Sequence, residues 1–359
     1  MRYLAPLIVS LLFSVPAVAQ QQPNILLIIA DDMGLDASAC YDVGDQQAPM
    51  PNLERLCEEG LVFENAYAAP VCSPTRATIM TGLYGFRTGV GSAISRDGGG
   101  GLSPDALSLF DIMADTDYAS ALIGKWHLAP SGDELNHPAA LGVTDYYGVI
   151  SGGLRDYERF EVIEDGAPVR VSTYATTLFT DRAIDWIADQ DSPWFLWLAY
   201  NAPHSPFHLP PTDLHGYGDL PDDEASIAAN RLDYYNAALE ALDTEIGRLL
   251  DSMPLQVRDN TIVMFLGDNG SPGQVARHLY GQRGAKGGIF EGGTHVPLII
   301  DGPGVATGRT DALVNTTDLF TTIASIAGAR AETSDAFDIA PVLSGGETAR
   351  TYVYVEHFS

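Results

Sequence analysis

Three short stretches of this chain carry side chains that an ordinary solvated surface does not call for. One apolar run ends in Asp31-Asp32, and another ends in Gly267-Asp268-Asn269-Gly270. Acidic groups at the end of a buried strand are expensive unless water, donors or a cation neutralise them. A hard divalent cation, which takes oxygen ligands, does this with carboxylates and an amide carbonyl. Singly, each stretch has a plainer reading, a helix cap or an Asp-Asn-Gly turn. Together, two such ends in one parallel sheet can converge on one metal. The third stretch is Cys72-Ser73-Pro74-Thr75-Arg76, running on to Thr81-Gly82. Pro74 suits the first turn of a helix. Arg76 then lies one turn beyond Cys72, able to reach back to it, the plain alternative being an exposed arginine.

Lysine occurs only twice, at Lys125 and Lys286, in a chain with 47 acidic residues and a net charge of −28. Such a field repels nucleic acid and anionic lipid, so an anionic substrate requires a local cationic pocket. His127 follows Lys125 by two residues, which on a strand places both on one face. His204 follows Pro203 after an apolar run. Imidazole suits proton transfer near neutral pH. His137, His208, His215, His278 and His357 lack such surroundings and read as structural or surface groups. Ser151 lies in a Ser-Gly-Gly turn.

The elements that must position these groups are apolar runs alternating with helical patterns. Strands are expected over 24–30, 61–66, 119–123, 194–200, 261–266 and 297–300. Helices are expected over 52–59, 74–81, 105–114, 174–188, 227–250 and 317–326. Several of the runs are apolar almost throughout, as parallel strands buried on both faces should be. The pattern predicts an α/β fold, a mostly parallel central sheet covered by helices on both faces, with ligands outside the carboxyl ends of the strands. Residues 98–101 and 204–223 read as loops. A hydrophobic content of 46% supplies a core and argues against disorder.

Residues 1–19 read as a secretory signal, with Arg2, an apolar stretch over 7–13 and the small-residue site Ala17-Val18-Ala19. The stretch is too short to span a membrane, and no later segment reads as a span. The chain is expected to be exported, periplasmic or secreted, where disulfides are permitted. Of its three cysteines, Cys40 and Cys57 either pair or stand as two separate buried thiols, and Cys72 is left over. The final residues, Tyr352 to Ser359, read as a strand cut short.

The Cys72–Gly82 stretch resembles the signature of the sulfatase family. The resemblance extends to Pro23–Gly34, Pro51–Phe63, Gly124-Lys125-Trp126-His127-Leu128, Ala202-Pro203-His204, Gly267–Gly270, Lys286-Gly287-Gly288 and Glu291-Gly292-Gly293. Leu83, Ala129 and His295 depart from residues common in that family. The resemblance implies an alkaline-phosphatase-like fold, with 20–345 as the catalytic domain and 346–359 the start of a smaller C-terminal domain, largely missing. It implies that a formylglycine-generating enzyme converts Cys72 to Cα-formylglycine. It implies that Asp31, Asp32, Asp268, Asn269 and residue 72 hold one Ca2+. A hydroxyl of the hydrated aldehyde would attack sulfur, with Arg76 orienting the diol and Lys125 and Lys286 binding sulfate. His204 would bind substrate and assist the leaving alcohol, and His127 would take the proton of the second hydroxyl. The expected substrate is a sulfated small molecule or glycan. The alternatives are a phosphate or phosphonate ester hydrolase of the same superfamily, and a non-catalytic protein that binds sulfated glycans.

Overall fold

A computed structural model describes residues 22–358 except Asp97 and Asp133. The signal reading over 1–19 lies outside the described residues. Ten strands form one sheet: β1 (Asn24–Ala30), β2 (Leu61–Tyr67), β3 (Ala119–Lys125), β4 (Asp145–Val149), β5 (Phe160–Glu164), β6 (Ala167–Val171), β7 (Trp194–Ala199), β8 (Thr261–Gly267), β9 (Leu298–Asp301) and β10 (Gly308–Asn315). Their order is β10-β2-β9-β8-β1-β7-β3-β4-β5-β6. The centre, β8-β1-β7-β3-β4, is parallel throughout, whereas β9 runs antiparallel to both its neighbours and β5 and β6 close the far edge antiparallel.

Every residue of β1, β7 and β8 is buried, because the sheet has a core on each side. Leu26, Ile28, Leu196, Leu198 and Phe265 face one core, with Leu53 of α1 (Pro51–Glu59). Ile25, Leu27, Phe195, Trp197 and Met264 face the other, with Ala77 and Met80 of α2 (Cys72–Thr81) and Phe110 of α3 (Leu109–Ala114). The first core also takes Phe179 of α4 (Ala175–Ala188) and Leu239 of α5 (Arg231–Ser252). Beyond them come α6 (Gly273–Tyr280) and α7 (Asp318–Ile326), the latter on the second core. The layered α/β expectation is met.

Several local expectations give way. The helix expected from 105 begins only after Ser108, whose hydroxyl and backbone form a capping box with Asp111, so Pro104 opens no helix. The helix expected over 227–250 is divided at Asn230 into a short turn capped by Asp223 and the long α5. Residues 352–358 form no strand; they lie against the segment that follows α2, with Phe86 N–H donating to Glu356 and Phe358 N–H donating to Gly91 O. Cys40 and Cys57 form a disulfide, and Cys72 is free and buried. No helix among the described residues is long and apolar enough to cross a membrane.

Candidate active site

The parallel pairing of β1 with β8 puts Ala30 opposite Gly267, so both chains leave the sheet at one level. Asp31-Asp32 and Asp268-Asn269 therefore emerge side by side. Asp268 N–H donates to Ala30 O at 3.1 Å, and Asp32 N–H donates to Asp268 Oδ1 at 3.1 Å. Asn269 Nδ2 donates to Asp32 Oδ1 at 2.9 Å. Asp32 sits in the left-handed region at φ 73°, uncommon for any residue but glycine. The buried hydroxyl of Tyr235 holds it there by donating to Asp32 O at 2.8 Å.

Cations meet these acids from other elements. Lys125, the last residue of β3, places Nζ 2.5 Å from Asp31 Oδ2, and neither side chain is exposed at all. Lys286 places Nζ 2.5 Å from Asp32 Oδ1 and keeps some exposure. Arg76, buried on α2, donates from Nη2 to Asp268 Oδ2 and from Nη1 to Lys125 O, both at 2.8 Å. Its hydrogen bonds thus anchor the carboxylate cluster rather than residue 72. His204 Nε2 lies 3.7 Å from Asp32 Oδ2, while its Nδ1 lies beside Ser205 O at 2.5 Å and donates to it.

Cys72 stands in the first turn of α2, its Sγ 3.3 Å from His127 Nδ1. His127 Nε2 lies 2.9 Å from Ile94 O, so this nitrogen carries the proton and Nδ1 turns its lone pair to residue 72. The strand expectation for Lys125 and His127 does not hold. β3 stops at Lys125, the chain turns through His127 at φ 56°, and that turn carries the imidazole to Cys72.

Three carboxylates, Asp31, Asp32 and Asp268, crowd against three cations, Lys125, Lys286 and Arg76. Burial alone would raise the Asp32 carboxyl, but His204, Lys286 and Lys125 hold it well below the usual range. Burial and the Asp31 carboxylate push Asp268 up to about 6, against the pull of Arg76. Burial, aided by the Lys125 charge, drives His127 down to about 3 and keeps its imidazole neutral. Asp31 Oδ1 and Asn269 Oδ1 are buried with no hydrogen-bond partner. Such acceptors cost about 1–3 kcal/mol each if left unmet. Ligand atoms of Asp31, Cys72 and Asp268 lie within 4.8 Å of one another, as do those of Asp31, Asp32 and His204. The donor set fits a hard, oxygen-seeking cation. A cavity of about 560 Å³ lined by Asp32, Ser205, Arg277 and Lys286 opens beside it.

The structure thus gathers Asp31, Asp32, Cys72, Arg76, Lys125, His127, His204, Asp268, Asn269 and Lys286 at one end of the sheet. Three further residues shape the site. A Cβ on Gly152 would lie 2.2 Å from His127 Cε1, so the Ser-Gly-Gly turn packs directly on that ring. Tyr157 Oη donates to the carbonyls of Asn201 and His204, at 2.7 and 2.6 Å, and fixes the histidine loop. Tyr235 is the third. Two-glycine turns flag close backbone approach, but a tyrosine within a helical pattern signals nothing. His137 is structural, accepting from Trp126 Nε1 and donating to Leu102 O.

Residues 23–329 match the family model described as Sulfatase. The N-acetylgalactosamine-6-sulfatase of Mus musculus is 30% identical over 385 residues, an alignment covering 95% of this chain and 70% of that protein. Arylsulfatase G of Mus musculus is 28% identical, covering 88% of this chain and 67% of that protein. The crystal structure of Ps i-CgsB superposes with a TM-score of 0.79 at 28% identity, covering 91% of this chain and 77% of that one. The same protein is also known in complex with k-i-k-neocarrahexaose. The chain spans about two thirds of the length of the curated relatives it matches.

Proposed function

The chain belongs to the sulfatase family of sulfuric ester hydrolases, and on that premise we propose that it is an exported enzyme acting on a sulfated carbohydrate or an aryl sulfate. Water cleaves the ester, giving an alcohol and inorganic sulfate with release of a proton. The observation that carries this reading is Cys72 Sγ, set 3.3 Å from Nδ1 of a neutral histidine and near an acid, Asp31, and an amide, Asn269, that each hold an unmet oxygen. The Cα-formylglycine of the family, formed at Cys72 by a maturation enzyme, would supply a hydrated aldehyde as the nucleophile. One Ca2+, held through Asp31, Asp32, Asp268, Asn269 and residue 72, would supply Lewis-acid polarisation.

The chain's own groups do the rest. His127 Nδ1 faces residue 72 unprotonated and receives a proton from it. The Ile94 carbonyl fixes this by holding the other nitrogen as N–H. Lys125 and Lys286 present ammonium groups to the sulfate oxygens, where charge moves as the ester breaks. Their contacts with Asp31 and Asp32 keep them in place before substrate arrives. His204, steered by Ser205 O and the Tyr157 clip, gives a proton from Nε2 to the leaving oxygen. Arg76 holds Asp268 and the Lys125 backbone, so the acids and the lysine keep their spacing.

The test is turnover of a panel of sulfated sugars and aryl sulfates, with release of inorganic sulfate, beside the matching phosphate esters. Release of sulfate at rates well above phosphate is expected. A preference for the phosphate esters would overturn the reading. Mass analysis of the peptide holding residue 72 should show the aldehyde in active enzyme, and unmodified Cys72 in fully active enzyme would remove the proposed nucleophile.

A further inference from the structure

Behind the Ser151–Leu154 turn lies a second cavity, of about 180 Å³, whose lining includes Arg96, Arg155 and Arg159. The three guanidinium side chains belong to exposed residues. Several arginines elsewhere, Arg87, Arg248, Arg258 and Arg350 among them, are held by carboxylates. Among the described residues, Arg96, Arg155 and Arg159 have no carboxylate partner. Among the described residues Glu161 is the one acid on the cavity wall, and it stands across from Arg170 in the β5–β6 pairing. In a chain of net charge −28, the described lining of this small cavity sets three arginines against one acid, a local positive balance.

The cavity is tied to the catalytic groups by short connections. Gly152 packs on the His127 ring, and a Cβ on Gly153 would lie 3.4 Å from His204 Cε1. Gly153 also lines the cavity, so one turn of backbone separates it from the proposed proton donor to the leaving group. Arg155 and Arg159 flank Tyr157, whose hydroxyl binds the His204 carbonyl at 2.6 Å and whose ring stacks on His208 at 3.9 Å. Asp156 Oδ1 accepts from the backbone N–H of both Glu158 and Arg159, which closes the segment into a fixed turn. Arg155 and Arg159 are therefore placed on the same turn as Tyr157, which clips the His204 carbonyl.

We propose that this cavity is an anion subsite that takes a second sulfate or a carboxylate of a polyanionic glycan, next to the ester that is cut. The inference rests on the sulfatase reading for the identity of that ester. Guanidinium groups suit it because their planar forks bind sulfate and carboxylate oxygens in pairs. The substrate class it selects is an oligosaccharide with repeated negative charge rather than a lone aryl sulfate.

The test compares the full chain carrying Cys72→Ala with the same chain also carrying Arg155→Gln and Arg159→Gln. Binding of a chondroitin 6-sulfate tetrasaccharide, which alternates sulfate and carboxylate, is measured by calorimetry. The double change should weaken it about tenfold or more and flatten its dependence on salt. Arg231→Gln with Arg330→Gln, both exposed and remote from the site in sequence, removes the same charge and should change neither. Equal weakening by the control pair, no weakening by the Arg155 and Arg159 pair, or no binding by the parent overturns the subsite. In the enzyme that retains Cys72, the ratio of KM for the tetrasaccharide to KM for 4-nitrophenyl sulfate should rise about tenfold when Arg155 and Arg159 are replaced. Arginine-dependent binding with no sulfate released from either compound would instead sink the hydrolase reading and leave the subsite standing.

Discussion

Two buried clusters in this chain are assembled from the same parts, and their hydrogen bonds end differently. At the outer end of α2, Asp318 takes Arg350 Nε at 2.7 Å and Nη2 at 2.5 Å, and also the backbone N–H groups of Asn315 and Phe337. Arg350 meets Tyr84 Oη and the carbonyls of Tyr352 and Asp335 as well. Neither side chain has a polar atom left over. At the carboxyl end of β1 and β8, Asp31, Asp32 and Asp268 also meet buried or partly buried cations, yet Asp31 Oδ1, Asn269 Oδ1 and Arg76 Nε have no partner. Buried polar atoms are nearly always paired, so the unmet oxygens beside these acids fit a cluster that the proposed cation would complete. The saturated cluster closes the fold, and the unsaturated one keeps oxygen acceptors for the proposed cation.

The largest expected effect separates the two at once. Cys72→Ala should reduce turnover by ~10⁴-fold or more with a urea midpoint near that of the parent, since a nucleophile is lost without loss of packing. Arg350→Met should do the reverse. Leaving Asp318 buried and unpaired should cost about 3–5 kcal/mol in urea unfolding, while kcat per folded molecule stays close to the parent. If Arg350→Met abolished turnover of folded protein, the division between the clusters would fail.

Within the site, Lys286→Met should lower kcat/KM by ~10²–10³-fold, as loss of one preorganised charge does. Lys286→Arg should restore little, because a planar fork replaces a compact ammonium poorly. The cation comes next. Chelation should lower thermal stability and activity together, and Ca2+ at about a hundred times its Kd should return about 2.7 kcal/mol. Asp31→Asn should blunt that response, and Asp318→Asn should not. A chelator-insensitive melting temperature would remove the metal from the comparison. Smallest is Gly152→Ala, whose methyl must displace the His127 ring and should cost about tenfold in kcat with KM little altered.

The central strands were legible because burial on both faces leaves β1, β7 and β8 with hardly a polar residue. The edges were not. β10 carries Arg309, Thr310 and Asp311 at its open side and breaks register between Thr310 and Leu313, so no clean alternation survives. The β5–β6 hairpin did offer a signal, the Asp165-Gly166 pair, and both residues adopt the positive φ that such a turn needs. The site's residues were legible as tandem acids, rare lysines and a motif cysteine. Their wiring was not, because it depends on partners far apart in sequence. Arg76 is one turn from Cys72 on α2, yet its carboxylate partner is Asp268 on another strand end. His127 reaches residue 72 through a left-handed turn that no periodicity encodes. Tyr157 and Tyr235 act through their hydroxyls on backbone carbonyls, which any exposed tyrosine could do as well.

The Cys40–Cys57 bridge has a practical consequence. It leaves residue 72 as the sole thiol able to react in the oxidised chain, and that thiol is buried. Under the proposed conversion of Cys72, colorimetric titration of sulfhydryls in denaturant becomes a ruler of maturation, expected to read one equivalent for a virgin polypeptide and none for a fully converted one. Preparations from different hosts can be ranked by that stoichiometry alone, and their specific activities should fall on a straight line against it.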